Sequence, residues 1–100
     1  MKDVTYVKKI LRKAARICST RGMCADVLED AKGQVCVLGA LIIAEHGKVR
    51  SNGISNEVYS AVQRTVPDGI VSEWSNELVR AGHANKVIER LRDVAKNLQG

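Results

Sequence analysis

Cys36 opens CVLGALIIA (residues 36–44), the most apolar stretch of the chain, and its side chain could carry covalent chemistry. A thiol nucleophile needs a base beside it, here His46 or His83, and surroundings that lower its pKa. Val, Leu and Ile neighbours instead push a thiol's pKa up, and no catalytic-cysteine signature surrounds Cys36. The residue reads as a packed thiol. Cys18-x5-Cys24 and Cys24-x11-Cys36 do not match zinc spacing, and the histidines stand far off in sequence, so no metal site is expected. GKVRSNG (47–53) sets Gly beside Lys but lacks the frame of a phosphate-cradling loop. Glu73 and Glu77, four residues apart, have the spacing of a solvated helix face. These residues predict no cofactor and no enzymatic activity; a small cysteine-dependent enzyme built on Cys36 is the weakest alternative.

The basic residues give a stronger pattern. Residues 1–21 carry seven bases against Asp3 alone, residues 22–79 four bases against eight acids, and residues 80–100 five bases against two acids. The net charge of +5 is thus concentrated at the two ends. Lys9, Arg12, Lys13 and Arg16 form one ridge of a helix, with Arg90 and Arg92 of the last helix as candidate neighbours. Like charges at this spacing repel, so an acidic partner is expected: another protein, the acidic middle of the chain, or a phosphate backbone. A helix–turn–helix over 55–80 is argued against by Glu73 and Glu77, which would point carboxylates at an acidic groove. Three aromatic residues make no stacking platform for single strands.

These residues need elements to position them. At 45% hydrophobic and 27% charged, with no Phe, 100 residues predict one globular domain, 1–100, with an aliphatic core. So short a chain buries only about 60–65% of its unfolded surface, and a homodimer is one way to bury more. No run approaches the roughly 18 apolar residues that cross a bilayer, and the N-terminus lacks the apolar core of a signal peptide. A cytoplasmic protein with reduced thiols is expected.

Val7, Ile10, Leu11, Ala14, Ala15 and Cys18 recur at helical spacing, with Asp3 as N-cap and Gly22 as stop. Residues 23–34 read as a short helix or a structured loop. Residues 35–45 predict a helix apolar on all sides and therefore central, ending at Gly47, although VCV by itself would suit an extended start. Cys36, Gly39, Ala40 and Ile43 would then line one small-residue face against which another helix backbone packs. Ser55 is the N-cap expected for the next helix, whose end is the turn PDG (67–69). Ile70, Val71, Trp74 and Leu78 make an apolar stripe that stops at Gly82, which places Trp74 in the core. The C-terminal helix carries Ala84, Val87, Ile88, Leu91, Val94, Ala95 and Leu98. The sum is an all-α, compact helical bundle of four long helices plus a short one.

CVLGAL, followed by WSNE and an amphipathic last helix, resembles an uncharacterised family of small proteins of actinobacteria and their phages with C-x-x-G-A-L and W-N-D motifs. The first motif falls on Cys36, Gly39, Ala40 and Leu41, the second on Trp74, Ser75 and Asn76. Ser75 stands where the family has Asn and Asn76 where it has Asp, which weakens any catalytic reading of that pair. The resemblance implies a mostly helical domain, a phage or prophage origin in a host cytoplasm, and Cys36 and Trp74 in one core. With the charge pattern, it predicts a non-enzymatic protein that binds a host or phage protein through its basic face. Non-specific nucleic-acid binding through the same ridge is the alternative.

Overall fold

A computed structural model describes residues 3–50 and 53–99. Lys2 of the basic N-terminal run, and Ser51 and Asn52 of the loop expected over 47–53, lie outside the described residues. The first helix, α1, is Val4–Arg21, and Asp3 caps it: its Oδ1 accepts from the Tyr6 N–H at 2.8 Å. The helix ends at Gly22, whose φ of +85° suits glycine, and the six apolar positions read from the sequence are its buried face. α2 is Val37–His46, α3 Asn56–Gln63, α4 Val71–Arg80 and α5 Ala84–Asn97.

Among the described residues every named element is a helix, but the expected division into four long helices and a short one is not what forms. The five helices have 18, 10, 8, 10 and 14 residues. The alternative left open over 23–34 resolves to a structured loop. Asp26 adopts a φ of +74°, which no helix accommodates, and Asp30 Oδ1 accepts from the N–H groups of Lys32 and Gln34 at 3.0 and 2.8 Å. Two isolated bridges tie the loop together, Met23 parallel to Val35 and Glu29 antiparallel to Val35.

α2 is enclosed as its composition predicts: of its ten residues, Val37 and Gly39–Ala44 are buried. The hub, however, is α1, which packs most extensively on α5 and α2 and also touches α3. One aliphatic core joins all five helices, with Leu11, Leu41, Val58, Val62, Val71, Val87 and Leu91 fully buried. Ile70 departs from its expected place on the core stripe. It occupies the N-cap position of α4, is extended, and is 46% exposed. Ser55 precedes α3 as expected, yet its hydroxyl makes no capping bond. Its N–H instead donates to Glu45 Oε1 at 2.8 Å, while Tyr6 Oη donates to Glu45 Oε2 at 2.8 Å. One carboxylate thereby ties α1, α2 and the start of α3.

Candidate functional site

Cys36 is buried but lies outside the helix it was expected to join. It is the extended N-cap of α2, and its Sγ accepts from the Gly39 N–H at 3.4 Å. A thiol here does what Ser or Asp does elsewhere, supplying a weak acceptor to an orphan helix donor without introducing a full oxygen into the core. Gly39 is where another backbone comes close, but that backbone belongs to the loop, not to a helix. A Cβ built on Gly39 would stand 2.0 Å from the Leu28 carbonyl oxygen. That same oxygen accepts from the Cys36 N–H at 3.2 Å. Ala40 and Leu41 are fully buried behind them. The motif is therefore a seat for the 22–35 loop.

No imidazole faces the thiol along α2: His46 sits at the helix's far end, about 15 Å away along the axis, where its ring nitrogen bonds the Gly53 carbonyl. His83 is exposed in front of α5. Burial, and then the charge of Cys36, pushes the Cys18 thiol up to about 12. Burial, and then Asp30, raises the Cys24 thiol. These shifts oppose nucleophile activation.

The second motif holds the same loop from the other side. Asn76 Oδ1 accepts from the Asp26 N–H at 3.0 Å, and Arg80 makes an ion pair with the Asp26 carboxylate. Asp26, in its left-handed conformation, is thus fixed by two side chains of α4. Ser75 is fully buried, and its hydroxyl has no partner among the described residues. Trp74 is half-buried and packs against the core cluster from outside it.

Trp74 also captures Arg90, whose guanidinium carbon lies 5.3 Å from the ring centroid and whose NH1 donates to the Thr65 carbonyl. Arg90 is therefore committed to joining α5 to α4 and the turn after α3. Arg90 was expected beside the basic ridge; its guanidinium lies over the Trp74 ring.

The ridge itself gains a neighbour from α5. Lys9, Arg12, Lys13, Arg16 and Arg92 are all exposed. α1 and α5 run antiparallel: Val4 and Leu98 line one hollow, and Arg12, Arg16 and Arg92 line another of about 330 Å³. Among the described residues the ion pairs are Arg21–Glu29 and Arg80–Asp26, and neither touches this group. Among the described residues, the acids of the middle segment that form ion pairs are Asp26 and Glu29, with Arg80 and Arg21 and not with the ridge. Sequence reasoning missed these pairings because the loop's path is not periodic.

No helix among the described residues is long and apolar enough to cross a membrane, and no group of three or more His, Cys, Asp or Glu is placed to hold a metal ion. The model of a family of unknown function, DUF6197, matches residues 2–97. No curated protein and no solved structure matches the chain.

Proposed function

The chain belongs to the DUF6197 family of unknown function, and on that premise we propose that it is a small non-enzymatic interaction protein whose basic α1–α5 face binds an acidic surface of another protein. One observation carries the reading: Arg12, Arg16 and Arg92 line one hollow across two helices, and among the described residues none of the three is in an ion pair. Guanidinium groups hold fixed forks of donors suited to carboxylates, and uncompensated cations on neighbouring helices destabilise a fold unless something else uses them. Lys9 and Lys13 extend the face along α1. The likeness of CVLGAL and WSNE to proteins of actinobacteria and their phages supports a phage or prophage setting in the host cytoplasm. A homodimer is part of the proposal, since a chain of 100 residues gains from added burial.

The test compares the wild type with the triple variant Arg12→Glu, Arg16→Glu, Arg92→Glu. The sites are exposed, so both should fold alike by circular dichroism. Captured from an actinobacterial lysate, a protein partner should co-purify with the wild type and disappear with the variant. A partner retained by the variant removes the basic face from the reading.

The second reading, non-specific nucleic-acid binding, is favoured by the same arginine hollow, because phosphate oxygens accept the same forks. It predicts duplex DNA binding whose affinity falls steeply and linearly with the logarithm of salt concentration.

A further inference from the structure

The three cysteines play no part in the proposed binding face, yet the loop gathers them. Cys36 is close enough to both Cys18 and Cys24 for its charge to act on each. The backbone says more about Cys24. Val35 donates its N–H to the Gly22 carbonyl at 3.1 Å and accepts from the Cys24 N–H at 2.9 Å, the pattern of a parallel bridge centred on Met23 and Val35. The next register pair is Cys24 and Cys36. Side chains at one register position share a face, and parallel neighbours stand about 4.8 Å apart. A disulfide spans Cα separations of about 4.4–6.8 Å.

Accessibility differs among the three thiols. Cys24 is partly exposed, whereas Cys36 and Cys18 are buried. An oxidant therefore reaches Cys24 first and leaves Cys36 as the neighbouring thiol that can respond.

We propose that Cys24 is a peroxide-modification site and that Cys36 resolves it, closing a reversible disulfide that staples the 22–35 loop to the start of α2. The fraction of Cys24 that has lost its proton attacks one oxygen of hydrogen peroxide as a thiolate; an S–O bond forms, the O–O bond breaks, and the leaving hydroxide takes up the released proton as water. The Cys36 sulfur then attacks the Cys24 sulfur. The S–S bond forms, the S–O bond breaks, and the oxygen departs as a second water. In sum, two thiols and one peroxide give one disulfide and two waters, and a small thiol reverses the step by exchange. Burial and Asp30 hold the Cys24 proton, so closure quickens as the solution is made alkaline.

The test uses the whole folded chain, treated with hydrogen peroxide and then capped with N-ethylmaleimide. Trypsin separates the three cysteines onto peptides 17–21, 22–32 and 33–48. Peptides 22–32 and 33–48 should appear joined, lighter by two hydrogens, and should separate with dithiothreitol. Cys18→Ala should leave the link intact and Cys24→Ser should abolish it. The oxidised chain should melt at a higher temperature than the reduced one. A link between 17–21 and 33–48 overturns the proposal, as does a link that forms only in denaturant, or a lower melting temperature on oxidation.

Discussion

Gly39 and Asn76 show how single residues place the 22–35 loop. Gly39 removes the Cβ that would collide with the Leu28 carbonyl at 2.0 Å, and the obstructing atom is backbone, which cannot rotate away. Gly39→Ala should therefore destabilise the chain by about 3 kcal/mol, the upper end of core overpacking, read as a lowered urea midpoint. A change below about 1 kcal/mol would mean the loop can lift off α2 at small cost. The type and position of Gly39 were legible as a demand for close packing. Which backbone met it was not, because nothing in local spacing names a partner eleven residues earlier in an irregular segment. Asn76 was legible only as one letter of a motif; its acceptor role became visible once Asp26 was seen in its left-handed turn.

The helices were largely readable, and the joints between them were not. α1 and α5 follow from apolar residues at helical spacing, and their buried faces are those the spacing picks out. The cross-ties come from polar side chains whose partners are remote: Tyr6 and Ser55 on Glu45, and Arg90 on Trp74. Tyr6 makes such a tie measurable. Its phenol is pushed up from 10.0 to about 12, first by burial, then by its bond to Glu45, then by that carboxylate's charge. A folded pKa above the unfolded one means folding favours the protonated form. That stabilisation is complete below pH 10 and is lost as pH climbs through about 12. Cys18, raised from 9.0 to about 12, adds a loss of the same sign starting from lower pH. Urea unfolding followed from pH 9 to 12 should show a falling midpoint, with a shallower fall for Tyr6→Phe. Equal slopes for the two proteins would detach α1 from Glu45.

Across the whole molecule, charge is sorted unevenly. Among the described residues no cation of the α1–α5 face is in an ion pair, while acids of the loop and bases beside it neutralise each other. Self-repulsion on one face should be relieved by screening, so raising salt from about 10 mM to 500 mM should stabilise the isolated chain by about 0.5 kcal/mol. That corresponds to a melting temperature about 2–4 °C higher. The triple Arg→Glu variant should lose most of this response. A wild-type melting temperature that falls with salt would place favourable ion pairs on the face and end its candidacy as a docking surface.

Composition and periodicity alone determined the all-helical class, the aliphatic core, the two terminal amphipathic helices and the basic ridge on α1. These are local properties: burying one stripe and solvating another needs only residues three and four apart. Tertiary structure alone decided that Arg92 joins the ridge while Arg90 leaves it for Trp74, that Cys36 caps rather than occupies α2, and that Gly39 receives a loop. Each of those outcomes depends on where a distant, aperiodic segment of chain comes to rest, and sequence spacing carries no record of that distance.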